Sequence, residues 1–91
     1  MITVSRNDER SRYEGRLDGM LVTVIDFVRH ENVLQVTHTG TRMRFRGRGF
    51  AGEVTQQALA DMRAKGWQVQ PVCPFTVGYL NSHPEYADLR V

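Results

Sequence analysis

The 91 residues contain one cysteine, Cys73, which rules out an intrachain disulfide and suits a reducing compartment. No apolar run approaches the ~20 residues of a membrane span, and Met1-Ile2-Thr3-Val4-Ser5-Arg6 holds no apolar stretch of signal-peptide length. A cytoplasmic protein without a membrane partner is therefore expected. Glu14, Asp18, Asp26 and Glu31 show no paired spacing that points to acid-base work, and the three histidines are too scattered for a metal cluster, so no metal is expected. There is no internal repeat, linker or low-complexity tract. Residues 1–91 read as one small domain with a thin core, because so short a chain buries only somewhat over half of its unfolded surface.

What is present is unevenly distributed. The formal charge is only +2, yet Arg42, Arg44, Arg46 and Arg48 lie close together with no acid among them. With the rest of the chain balanced, such a patch suits a compact anion better than a long polyanion. RNA binding is disfavoured further because only Phe45 and Phe50 offer aromatic faces there. Within the patch, Arg44-Phe45-Arg46-Gly47-Arg48-Gly49 stands where a strand hands over to a helix. Glycines let a ligand approach the main chain, and the helix start adds unpaired N–H groups and partial positive charge. The segment is a candidate phosphate cradle, with a solvated basic turn as the plainer reading.

Around it, β propensity predicts strands over Ser11–Leu17, Met20–Val28 and Val33–Thr39, joined by turns at Asp18-Gly19 and His30-Glu31-Asn32. Val22, Val24 and Phe27 break strict alternation, which a bulge near Asp26 or burial on both faces would explain. Phe50, Ala51, Val54, Ala58, Leu59 and Met62 recur at helical spacing up to a stop at Gly66. Trp67–Val72 then alternates as a strand, with Trp67 in the core and Pro71 at an edge or leaving the ladder. The two strands flanking the helix should be parallel. Cys73 as N-cap and Pro74 as first residue open a second helix with Phe75 and Tyr79 inward, Leu80 being a further candidate for that side, ended by His83-Pro84. The tail from Glu85 is a final strand or a packed extension. The fold class is α/β in the α+β sense: an antiparallel meander, a β-α-β unit and a short C-terminal helix.

Two separated motifs make a resemblance specific. Residues 44–49 fit the pattern Q/R-x-x-G-x-G/A, and Cys73-Pro74-Phe75, Tyr79-Leu80 and His83-Pro84-Glu85-Tyr86 follow at the C-terminal end. The chain resembles the GNAT superfamily of acetyl-coenzyme A dependent N-acetyltransferases, and within it the small stand-alone YjdJ-type group, from about Arg12 to Leu89. The resemblance implies a mixed sheet splayed between strands ending near Thr41 and Val72, with acetyl-coenzyme A in the split. It implies cofactor contacts from Thr39, Thr41, Met43, Arg44, Phe45, Arg46, Gly47, Arg48, Gly49 and Phe50. Cys73, Pro74, Phe75, Tyr79 and His83 supply the remainder.

The same resemblance implies transfer of acetyl to a primary amine, of a protein lysine or a small molecule, usually by direct attack. Tyr79 stands where a hydroxyl protonates the departing thiolate, with packing beside Phe75 as its plainer role. Cys73 is either a small buried residue or a thiol near the acetyl group that could carry it covalently. His38 is either a structural strand residue or a proton acceptor. The small group usually has an acid after its His-Thr pair, where this chain has Gly40, and Arg42 replaces a common proline. A coenzyme A or acyl-coenzyme A binding module without turnover is the alternative reading. So short a chain leaves little to enclose the acceptor, so an exposed site, or one completed by a partner chain as in a homodimer, is expected.

Overall fold

Two tight turns set the register of the sheet in the computed structural model, which describes residues 2–91. Asp18 and Gly19 take φ of 50° and 82°, joining β2 (Arg12–Leu17) to β3 (Met20–His30) so that Leu17 faces Met20. Both positive φ values match the type I′ hairpin that Asp-Gly favours. Glu31, at φ 57°, turns β3 into β4 (Val33–Thr41), with His30 opposite Val33. A further strand, β1 (Ile2–Asn7), pairs antiparallel with β2, so the meander has one more strand than its sequence pattern announces.

The sheet order is β1-β2-β3-β4-β5, with β5 (Gln68–Pro71) parallel to β4 and joined to it through helix α1 (Phe50–Lys65). Helix α2 (Pro74–Ser82) and a 3₁₀ segment, Pro84–Leu89, complete the fold. This is the expected mixed architecture. The tail is a packed extension with one strand-like contact: Arg90 bridges Val69, and the Val91 amide donates to the Val69 carbonyl at 2.9 Å. No described helix is long and apolar enough to cross a membrane.

α1 lies across one face of the sheet. Val54, Ala58, Leu59 and Met62 are buried against Ile2, Tyr13, Ile25, Phe27 and Leu34, forming the main core. Trp67 is buried with them, its ring covered by the guanidinium groups of Arg6 and Arg29 at 4.8 and 4.3 Å from the centroid. Arg6 also bonds Asp61, which accepts the Tyr13 hydroxyl at 2.8 Å, tying β1 and β2 to the helix. On α2 the inward stripe is Thr76 and Leu80, whereas Phe75 is 41 % exposed and Tyr79 half-buried. Phe75 was expected inward. One turn of core is all that so short a helix finds beneath it, and Phe75 faces the cleft described next.

Candidate active site

The cleft opens because β4 and β5 part company. Pairing runs from Val33–Gln68 to Val36–Pro71, and then the amides of Val72 and Cys73 both donate to the Val36 carbonyl, at 2.9 and 3.0 Å. Val72 turns its N–H to β4, so by strand alternation the nitrogen of Pro71 faces the outer edge. Pro71 sits on an edge strand as expected, and the ladder ends one residue beyond it. In the register of β3 with β4, Phe27 faces Val36 and Asp26 faces His38, leaving Thr37 as the extra residue of a bulge. The irregularity expected near Asp26 thus lies on the partner strand. Beyond the bulge, among the described residues, β4 pairs only with β3.

That half of β4 presents main-chain groups to the cleft. The Arg42 amide donates to Val22 at 2.8 Å, so antiparallel alternation directs the N–H and C=O groups of Thr39 and Thr41 toward the open side. The Thr41 carbonyl there accepts from Arg46 Nε at 3.0 Å. Such an edge can bind amide groups of an extended ligand as a further strand would.

At the far end the chain makes a 3₁₀ turn, Met43–Phe45, before α1. Phe45 is buried and packs edge-on to Phe50 at 6.2 Å, anchoring the loop. Gly47 and Gly49 both take φ 79°, and a Cβ at either would meet no atom within 4 Å. Their backbone demands glycine, and open space lies above it. The first helical bond runs from the Glu53 amide to the Gly49 carbonyl, and among the described residues the amides of 47–52 donate to no other group of the chain. Unpaired N–H groups at a helix start, beside Arg46, fit the phosphates of a nucleotide-bearing ligand.

These elements enclose a cavity of about 430 Å³. Of the residues named from sequence, His38, Thr39, Thr41, Phe45, Arg46 and Gly47 line it, as do Gly49, Phe50 and Phe75. Met43 is 79 % exposed and outside it. Arg44 and Arg48 also stand outside, their guanidinium groups over the Phe45 ring at 5.1 and 5.6 Å. Pro74 begins α2 without reaching the cavity, and His83 caps that helix, its Nδ1 2.7 Å from the Tyr79 carbonyl. Gly40, Ala51 and Gly52 line the cavity without having been named for it. The signal for Gly52 was a glycine in the first turn of a helix, where it thins the wall and lets Tyr79 come within 3.8 Å of its absent Cβ.

Cys73 and Tyr79, also named from sequence, are not among the lining residues and stand next to two that are, Thr39 and Gly52. The Cys73 thiol is buried behind Thr39, whose Oγ1 it approaches at 3.7 Å. Burial pushes the thiol up, but the Thr76 and Phe75 amides at the start of α2, with the Thr39 and Thr76 hydroxyls, bring it below the ordinary thiol value. Tyr79 stacks on His83 at 3.9 Å and lies 6.3 Å from Phe75. Burial raises its pKa, with Tyr86 and Glu85 adding to the effect, so the hydroxyl keeps its proton at neutral pH.

Residues 12–89 match the sequence profile described as GCN5-related N-acetyl-transferase. The chain belongs to this family. GNAT enzymes use acetyl-coenzyme A and act on amine acceptors such as proteins or small molecules. Solved structures carry the same fold. A GCN5-like candidate N-acetyltransferase of Staphylococcus aureus superposes with a TM-score of 0.74 at 15 % identity, covering 98 % of this chain and 87 % of that one. The ribosomal-protein-alanine N-acetyltransferase of Brucella melitensis biovar Abortus 2308 gives 0.62 at 18 % identity, over 88 % of this GNAT chain and 60 % of the other. Ard1 from Thermoplasma volcanium gives 0.56 at 18 %, over 65 % and 41 %. The chain thus spans most of the staphylococcal protein but less than two thirds of the other two. No curated protein sequence matches it.

Proposed function

We propose that this GNAT domain transfers acetyl from acetyl-coenzyme A to a primary amine, on a protein lysine or a small molecule, by direct attack in a ternary complex. The observation that carries this reading is the run of unpaired amides at 47–52, set beside the open edge of β4. The amides of that run and Arg46 would hold the pyrophosphate, and the Thr39–Thr41 edge the amides of the pantetheine arm. A strand N–H on that edge suits the thioester oxygen, where negative charge develops. Bound acetyl-coenzyme A supplies an activated thioester. Tyr79, whose hydroxyl keeps its proton at neutral pH, is the residue we assign to protonate the leaving sulfur. Cys73 is shut behind Thr39, which favours direct attack by the amine over a cysteinyl intermediate. The run from Cys73-Pro74-Phe75 to Tyr86 supports placement in the small YjdJ-type group.

The test is thiol release from acetyl-coenzyme A with a lysyl peptide, an α-amino peptide and a primary alkylamine, followed by mass spectrometry of each amine. Amine-dependent release with an acetylated product is expected. Tight coenzyme A binding with no acetylated amine would leave a binding module instead.

A further inference from the structure

The His38 imidazole occupies the space that a side chain at position 40 would need. Its Cε1 lies 2.8 Å, and its Nε2 3.5 Å, from where a Gly40 Cβ would stand. Gly40 is not among the glycines with positive φ, so its backbone does not require glycine. The ring does. On its other side, His38 Nδ1 is 3.1 Å from Asp26 Oδ2 across the β3–β4 pair.

We propose that Asp26 is a positioning residue that holds His38 as the proton acceptor for the incoming amine, in the space left by Gly40. This rests on the acetyltransferase reading. A carboxylate only accepts hydrogen bonds, so Asp26 keeps the neutral ring's proton on Nδ1 and leaves the Nε2 lone pair free. His38 lines the 430 Å³ cavity. A second cavity, of about 340 Å³, lies along Arg12, Val24 and Arg42 and shares Gly40 and Thr41 with the first. An amine entering by the second cavity meets the first at the strand segment beside Nε2. The ammonium N–H bond breaks as Nε2–H forms, and the freed nitrogen pair makes the C–N bond at the thioester carbon. As the C–S bond breaks, Tyr79 gives its proton to the departing thiolate, and the nitrogen's second surplus proton passes through water to restore the Tyr79 hydroxyl. His38 returns its own proton to water.

The charged groups on the elements beside the ring are Asp26 on β3, Arg12 opposite Asp26 on β2 with its ion-pair partner Glu14, Arg42 just after β4, and Arg46 in the loop lining the same cavity. With a lysyl peptide at pH 7, His38→Gln is expected to lower kcat about 100-fold and leave the KM for acetyl-coenzyme A within about twofold. Asp26→Asn is expected to lower kcat about 10-fold by releasing the tautomer. Gly40→Ala, which displaces the ring, is expected to match His38→Gln, and the double variant to lose nothing further. All these losses shrink as pH rises and the peptide amine deprotonates in solution. Independently of turnover, ¹⁵N spectra of the imidazoles, assigned with His30→Gln and His83→Gln, are expected to show the Nδ1–H tautomer at His38 in the wild type and a mixture in Asp26→Asn. Folded Asp26→Asn and Gly40→Ala proteins with wild-type kcat would overturn the proposal while transfer itself stood. An unchanged tautomer in Asp26→Asn would overturn the positioning role even if no amine were acetylated, and failure of the wild type with every amine would overturn the transferase reading.

Discussion

Val54 Cγ2 of α1 lies 2.5 Å from the point where a Cβ at Gly15 of β2 would stand. The helix rests on the sheet at this position, where Gly15 faces Thr23 just before a register shift. Gly15→Ala is therefore expected to lower stability by about 1–3 kcal/mol through overpacking. Urea unfolding of Gly15→Ala in wild-type and Val54→Ala backgrounds checks this, because the cost should fall once Val54 is trimmed.

At Gly47 and Gly49 a branched residue meets open space but also a φ of 79°. Gly47→Val and Gly49→Val should each cost about 1–3 kcal/mol of backbone strain. They should also weaken coenzyme A binding at least about 30-fold by filling the approach to the 47–52 amides. Calorimetric titration beside a thermal melt separates the two effects, and unchanged affinity in a folded variant would refute the cradle.

Tyr79→Phe removes the hydroxyl and keeps the stack on His83. Turnover is expected to fall about 10- to 100-fold with near-normal affinity for coenzyme A. Because burial raises the Tyr79 pKa, the wild-type rate should hold past the pH at which an ordinary tyrosine ionises, near 10. A rate profile over pH 7–11 reads both points.

Cys73→Ala distinguishes the two chemical routes. With direct attack, the variant keeps turnover within about fivefold and intact-mass spectra of the wild type show no acetyl adduct; a covalent route predicts loss of about 10³-fold or more.

Glu14 is held by Arg12 at 2.7 Å and Arg16 at 2.9 Å. Their hydrogen bonds, Arg12 foremost, lower its pKa against the opposing effect of burial. A depressed carboxyl pKa stabilises the fold fully above the unfolded value of about 4.3, and the contribution is lost as pH falls through the lower folded value. The stability gap between wild type and Glu14→Gln should thus be constant from pH 7 to about 5 and close in acid. Guanidinium unfolding at each pH measures it.

Much of this arrangement was legible in the sequence because its signals are local. Asp18-Gly19 names its own turn, α1 carries its apolar stripe and stop, and the Gly47-Arg48-Gly49 loop advertises a main chain open to a ligand. β1 carries no such signal, because the turn after it has neither glycine nor proline; Ser11 itself takes φ 51°. Helical spacing alone puts Phe75 inward, and spacing cannot tell a core from a cleft. The contact of Asp26 with His38 depends on a cross-strand register shifted by the Thr37 bulge, and no spacing along the chain announces that.

The amides of 47–52 are held in a defined geometry with no acceptor among the described residues. Amides of that kind should exchange with solvent deuterium without waiting for the fold to open, in contrast to those inside the sheet and α1. An anion that seats on them alters their exchange directly. It also stabilises the folded chain by RT ln(1 + [L]/Kd), about 2.7 kcal/mol at a hundredfold excess over Kd. The loop is thus its own reporter: proton exchange at these residues reads occupancy at the cradle directly, while amides of the sheet and α1 register it only through the gain in global stability.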